Sequence, residues 1–320
     1  LDENTGNLTL SLTKNEEDHS VTIAAQDIDP VETLRVFSDA ETFDDFSLRV
    51  SRDPNTGVYS AETDSPTRVV GTVGADRLIG GDGNDILLGN GGNDTLDGGV
   101  GSDYLRGGTG DDIYLTSDGT DVILTGGGSD TLEVVTGYTL QNASLNPTDG
   151  ALTLTILKDD SSEHAVVIER HEVEPLSTIR SGGIDYSLDV SYVDGVYKAT
   201  GDLPTLMAGT NAADTIVGGS ADDILYGNAG DDEILGGAGN DTIIISDGDD
   251  VITYGDGVDR VVIRADYQIK NTESVDGSLK LNLTKLSDGS DHSVTLTSDG
   301  SENADFSLRV YRNDVEFDDL

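Results

Sequence analysis

The chain has 320 residues, of which 62 are acidic and 18 basic, for a formal net charge of −44; such a charge repels nucleic-acid phosphates and anionic lipid and suits a protein that binds many cations. There is no Cys and no Trp, 40 residues are Gly and only 5% are aromatic, which excludes a disulfide framework, thiolate zinc sites and a Cys nucleophile and leaves little for an ordinary packed core. No window approaches the ~18 consecutive apolar residues of a membrane-spanning helix. The length allows two domains or several smaller modules. The chain opens Leu1-Asp2-Glu3, with neither an initiator Met nor a basic-then-apolar leader, and reads as a piece of a longer protein.

Residues 1–70 alternate polar and apolar in short runs. Leu8, Leu10 and Leu12 share one parity, as do Val21 and Ile23, and Phe46, Leu48 and Val50. A period of two over five to seven residues means half-buried strands. Asp-Pro at 29–30 and 53–54 supplies turns. A small antiparallel β module is expected.

From Gly71 to residue 133 the chain repeats a nine-residue unit, GGxGxDxUx, where U is large and apolar. Position six is Asp in all seven copies: Asp76, Asp85, Asp94, Asp103, Asp112, Asp121 and Asp130. Position eight is Leu78, Leu87, Leu96, Leu105, Tyr114, Ile123 and Leu132. No Pro interrupts the register, as an unbroken backbone ladder requires.

Residues 134–208 repeat the first module: ALTLTILK (151–158) matches NLTLSLTK (7–14), EHAVVI (163–168) matches DHSVTI (18–23), and YSLDV (186–190) matches FSLRV (46–50). The nine-residue register resumes at 209–262. Position six is again always Asp, at Asp214, Asp223, Asp232, Asp241, Asp250 and Asp259, and position eight is Ile216, Leu225, Ile234, Ile243, Ile252 and Val261. Residues 263–320 give the module a third time. The terminal VEFDDL continues that copy and reads as a truncation. The order is module, repeat, module, repeat, module, the signature of an array.

Each position of the unit has a physical task. Gly at positions one, two and four permits positive φ, so that the chain turns sharply and aims carbonyl oxygens at one spot. The Asp places a carboxylate beside them. Calcium takes six to eight hard oxygen ligands at about 2.3–2.6 Å, which this set matches. Positions seven to nine make a strand too short to stand alone, with position eight pointing inward. Two units make one coil of 18 residues, so equivalent turns stack about 4.8 Å apart with room for a metal between them. At about 25 cal/mol per Å², two thin rows of Leu and Ile cannot offset the ordering of so many glycines. The metal must therefore be part of the fold, and the metal-free arrays are expected to be disordered.

The arrays closely resemble the RTX (repeats-in-toxin, hemolysin-type nonapeptide) family of secreted bacterial proteins. The resemblance covers about 117 residues, with thirteen Asp in register. It implies an all-β fold: two calcium-bound parallel β-rolls (β-solenoids) alternating with three antiparallel modules. It also implies calcium ligands. In the family each ion takes the position-two and position-four carbonyls and the Asp of one turn. The turn 18 residues on adds its position-one and position-three carbonyls and its Asp. Carried onto this chain, Gly81, Gly83 and Asp85 would meet Gly98, Val100 and Asp103; Asn90, Gly92 and Asp94 would meet Gly107, Thr109 and Asp112; and Gly219, Ala221 and Asp223 would meet Gly236, Ala238 and Asp241. Gly99, Gly101, Gly108 and Gly110, with Asn228, Gly230, Gly237 and Gly239, hold the same carbonyl positions for the neighbouring gaps. Pairing every turn gives five gaps in the first array and four in the second, so roughly nine ions are expected.

Some turns depart from the pattern. Ala212 and Ala221 replace Gly at position four, and Thr116-Ser117-Asp118, Ile245-Ser246-Asp247 and Tyr254-Gly255-Asp256 degrade the closing turns. Asp118, Asp247 and Asp256 are alternative side-chain ligands there.

No catalytic signal accompanies the arrays. His171-Glu172 lacks the second His of HExxH, and no nucleophile elbow, P-loop or dinucleotide fingerprint occurs. His19, His164 and His292 recur at matched places and read as framework positions. The function expected is that of a non-enzymatic calcium-binding segment of a secreted or cell-surface protein, folding on meeting calcium outside the cell. By resemblance it is exported through type I secretion machinery. The alternatives are the carboxy-terminal part of a secreted enzyme or toxin, and an adhesin segment whose modules bind a glycan or surface receptor.

Overall fold

The computed structural model describes residues 8–14, 17–23, 33–37, 43–47, 50–52, 58–61, 66–169, 176–263, 266–300, 304–312 and 315–319, with side chains described for 58–60, 66–169, 176–263, 266–300 and 305–307. His171 and Glu172 fall outside them. The described residues are all β, and no helix among them is long and apolar enough to cross a membrane. The chain divides into two compact units, residues 1–139 with 155–176, and residues 140–154 with 177–320.

In the first unit two parallel ladders run side by side. One stacks Val58–Ala61, Arg77–Asp82, Thr95–Val100, Ile113–Leu115 and Thr131–Val134. The other stacks Arg68–Val70, Ile86–Gly91, Tyr104–Thr109 and Thr120–Gly127. Leu96 pairs with Leu78 and Leu105 with Leu87, so each repeat lies over the one 18 residues away. The ladders begin upstream of the nine-residue register, with Tyr59 opposite Leu78 and Val69 opposite Leu87. Several strands are longer than positions seven to nine. Arg77–Asp82 runs through position three of the following unit, because Gly81 and Asp82 pair with Gly99 and Val100. Strand Glu163–Ile168 then adds to the edge of Thr120–Gly127 in parallel, covering backbone groups that would otherwise be open.

The second unit repeats the plan with shorter rungs. Val196–Ala199, Thr215–Val217, Glu233–Leu235, Asp249–Tyr254 and Asp291–Ser298 form one ladder. Leu206–Ala208, Ile224–Tyr226, Thr242–Ile245, Gly257–Ile263 and Ala304–Arg312 form the other. Beyond the ladder, Tyr267–Val275, Ser278–Lys285 and Asp291–Ser298 make an antiparallel meander.

The alternation of strands sends position eight inward everywhere. All thirteen position-eight side chains are at most 1% exposed. The single aromatic among them, Tyr114, is accommodated because its hydroxyl accepts the Gly107 N–H at 2.9 Å and lies 3.2 Å from the Thr125 carbonyl. In the second unit this row merges with Leu281, Leu283, Val294 and Leu296 of the meander into one core.

Candidate metal centre

Between stacked strands, the turns bring the position-six carboxylates inward rather than to solvent. Eleven of the thirteen are buried; Asp76 and Asp214, the first of each array, are half-buried. The two oxygens of each carboxylate have different work. Oδ1 accepts the backbone N–H of the Asp 18 residues earlier: Asp85 donates to Asp103 at 2.7 Å, Asp94 to Asp112 at 2.8 Å, Asp103 to Asp121 at 3.0 Å and Asp112 to Asp130 at 2.9 Å. The second array repeats this, Asp214 to Asp232 and Asp223 to Asp241 at 2.9 Å, Asp232 to Asp250 at 3.1 Å and Asp241 to Asp259 at 2.9 Å. At the top of one stack in each unit Thr67 and Thr205 supply the N–H, to Asp85 and Asp223; the other two stacks begin at Asp76 and Asp214, which donate to Asp94 and Asp232.

Oδ2 is another matter. In Asp85, Asp94, Asp103, Asp112, Asp130, Asp232 and Asp241 it is buried and has no hydrogen-bond partner. An ionised oxygen held this way costs several kcal/mol unless a cation meets it. Burial accordingly pushes the carboxyls of Asp94 and Asp103 up to about 6 and those of Asp85, Asp112, Asp121, Asp232 and Asp241 to about 7, with Asp250 at about 8; neighbouring Asp charges add to the shift in most of them.

Carbonyls converge on the same spots. A Cβ on Gly80 would run into both Asp85 Oδ2 and the Gly98 carbonyl oxygen. At the matching place a Cβ on Gly209 would lie 2.6 Å from the Gly227 carbonyl and 2.8 Å from Asp214 Oδ2. The position-one glycines therefore do not serve by adopting positive φ, as the repeat suggests; their φ is ordinary, and they are required because carbonyl and carboxylate come too close for a side chain. Left-handed backbone is confined to positions two and four, for example Gly81 at +100° and Gly83 at +112°. The position-three carbonyls of Val100 and Thr109 accept N–H groups from Gly83 and Gly92 at 2.7 and 2.9 Å, leaving each a second lone pair.

Among the described residues no group of three or more His, Cys, Asp or Glu side chains could hold a metal. The oxygens that the 18-residue register brings together are instead carboxylates of stacked turns, with backbone carbonyls beside them. That is a hard-oxygen set fitted to calcium and poor in the nitrogen and sulfur donors that zinc prefers.

The RTX calcium-binding nonapeptide repeat (4 copies) is the family model that matches the chain, over residues 70–105, 106–134 and 208–243. The chain carries RTX repeats. The RTX repeat is a structural calcium-binding fold, not a catalytic one, and is typical of secreted bacterial proteins. Among curated proteins none matches the chain significantly. Of solved structures, the R3 subunit of AlgE6, a mannuronan C5-epimerase of Azotobacter vinelandii, is similar at 25% identity and a TM-score of 0.27, over 38% of this chain and 76% of that one. The extracellular lipase LipA of Serratia marcescens is similar at 22% identity and a TM-score of 0.25, over 77% of this chain and 39% of that one. Neither likeness bears on what this chain does.

The degraded closing turns hold something the repeat does not foretell. Asp118, at position three, accepts both the Tyr138 hydroxyl at 2.5 Å and the Lys158 ammonium at 2.6 Å. His164 lies beside it, with Nδ1 accepting the Gly119 N–H at 2.7 Å and Nε2 bonded to Ser162 at 2.8 Å. Asp247, Tyr267, Lys285, His292 and Ser290 reproduce the same cluster in the second unit. Asp118 and Asp247 thus anchor the strand after each RTX roll, their charge met by Lys, and Asp256 is exposed. The signal was present in sequence: Lys158 and Lys285 close the matching motifs ALTLTILK and SLKLNLTK. His164 and His292 belong to that anchor.

Proposed function

We propose that this chain is a calcium-triggered folding segment of a secreted or surface bacterial protein. In this reading residues 71–133 and 209–262 bind calcium between stacked turns, and the flanking modules close the roll edges. The observation that carries it is the set of seven buried, unpartnered Asp Oδ2 atoms; six of them, all but Asp130, face a position-one glycine that has no side chain to answer them. Without a cation the stack holds like charges in a dry row; with calcium each charge gains a divalent partner that also ties two coils together.

Extracellular calcium sites bind with Kd on the order of 10⁻⁴–10⁻³ M. Sites of that strength stay empty inside a cell, where the chain remains unfolded and fit for type I export, and fill outside it. The test is far-UV circular dichroism during a calcium titration with magnesium as control. A cooperative gain of β signal, reversed by chelator and not elicited by magnesium, is expected. A chain already fully β in excess chelator would refute calcium-triggered folding.

A further inference from the structure

The thirteen RTX turns are not alike, and their differences sort without exception. In seven turns both position two and position four are left-handed: Gly81 and Gly83, Asn90 and Gly92, Gly99 and Gly101, Gly108 and Gly110, Gly126 and Gly128, Asn228 and Gly230, Gly237 and Gly239. Their Asp residues are the seven whose Oδ2 lacks a partner. In the turns that open at Gly71, Gly209 and Gly218, neither position is left-handed, and the turn satisfies its own carboxylate. Thr72 donates to Asp76 Oδ2 twice, from N–H at 2.6 Å and from the hydroxyl at 2.8 Å, while its Oγ1 accepts the Gly74 N–H at 3.1 Å. Thr210 repeats the arrangement on Asp214, at 2.6 and 2.9 Å, and takes the Ala212 N–H at 3.1 Å. Gly219 N–H reaches Asp223 Oδ2 at 2.7 Å.

We infer that these three opening turns are closed to calcium, so that the chain holds six inter-turn ions and not the nine its repeat count suggests. The inference rests on the calcium reading of the rolls. In that reading the lower turn of each gap contributes its position-two and position-four carbonyls and its Asp. In the opening turns the first two are not turned by left-handed backbone and the third is already hydrogen-bonded, so all three donors are withdrawn together. Thr72 and Thr210 fix this state, because a β-branched residue resists left-handed φ. Ala221 acts in the same direction at position four, where the open turns all have glycine. The six gaps that remain lie between the turns starting at 80 and 98, 89 and 107, 98 and 116, 107 and 125, 227 and 245, and 236 and 254; in each the lower Asp is open. Asp130 is open too, but no repeat turn lies 18 residues beyond it. Each roll thereby begins with a turn that is complete without metal, on which the ion-bound turns stack.

The experiment counts ions by native mass spectrometry on the whole chain, saturated with calcium and with magnesium present to clear loosely held surface ions. At most six are expected; seven or more would overturn the inference. Thr72→Gly restores the GGxGxD turn and is expected to add one ion. Thr210→Gly with Ala212→Gly does the same independently in the other unit, so one misfolded variant leaves the other as a test. An unchanged count in a folded variant refutes the closure. A wild-type chain that binds no calcium would instead refute the calcium reading itself.

Discussion

Asp103→Asn separates the metal from the framework at one position. Asp103 is 2% exposed; its Oδ1 accepts the Asp85 N–H at 2.7 Å and its Oδ2 has no partner. Asn keeps an amide oxygen for the Asp85 N–H but offers a neutral group, or a donor, where calcium would sit. Burial holds the Asp103 carboxyl near 6 against an ordinary 3.8; at 1.36 kcal/mol per unit that is on the order of 3 kcal/mol of penalty on the ionised form, which a bound ion must offset. Removing the charge relieves that penalty in the metal-free chain and forfeits a charged ligand in two gaps, those below and above the turn at 98. The calcium midpoint is therefore expected to rise roughly tenfold or more, equivalent to at least about 1.4 kcal/mol, and the ion count to fall by two. Asp103→Ala should cost about 1–3 kcal/mol beyond Asn, because the buried Asp85 N–H then loses its acceptor. Asp82→Asn is the control: it removes the same charge from an exposed position-three side chain. Calcium-dependent circular dichroism and native mass spectrometry read both quantities. Equal shifts for Asp82→Asn and Asp103→Asn would show that only net charge matters and would refute the ligand assignment.

Two further outcomes follow from the same geometry. The position-six carboxyls are raised by burial in the folded, metal-free chain, to about 7 for Asp85, Asp112 and Asp241. Raised acids bind protons more tightly folded than unfolded, so metal-free structure should be greatest below the ordinary carboxyl value of 3.8 and be lost progressively as pH rises from there through about 7; with calcium the sign reverses, since ions displace protons and the calcium midpoint should fall over that range. More β signal in chelator at pH 8 than at pH 5 would contradict this. Glycine substitutions should split sharply by position. Gly99 has φ +95°, and a Cβ there would run into the Gly81 carbonyl, whereas a Cβ on Gly127 meets nothing within 4 Å. Gly99→Ala is expected to lower the thermal midpoint of calcium-loaded protein by several degrees, at a cost of about 2 kcal/mol or more; Gly127→Ala should leave it within experimental error.

The arrays were legible in the sequence because their period is set by covalent geometry. A unit of nine fixes which residue faces in, and two units fix which turn lies above which, so Leu78 over Leu96 and Asp85 beneath Asp103 follow from counting. Position-eight burial and the RTX resemblance needed no contact between distant segments. What counting cannot give is the sign of φ inside a turn. Asn90 and Asn228 adopt the left-handed form and so behave as glycine, while Gly219 does not. Only the folded turn reveals that difference, and it decides whether an Asp faces a metal gap or its own backbone. The roll ends were hidden for a related reason: Lys158 reaches Asp118 across 40 residues, a pairing set by where the strand at 163–168 docks and not by any period. The sequence by itself determined the repeat, the inward row and the acidic ladder, each a consequence of local register. The tertiary structure decided which carboxylates stay open to an ion and which meet a Thr or Lys donor, because that depends on how each turn is closed by the chain around it.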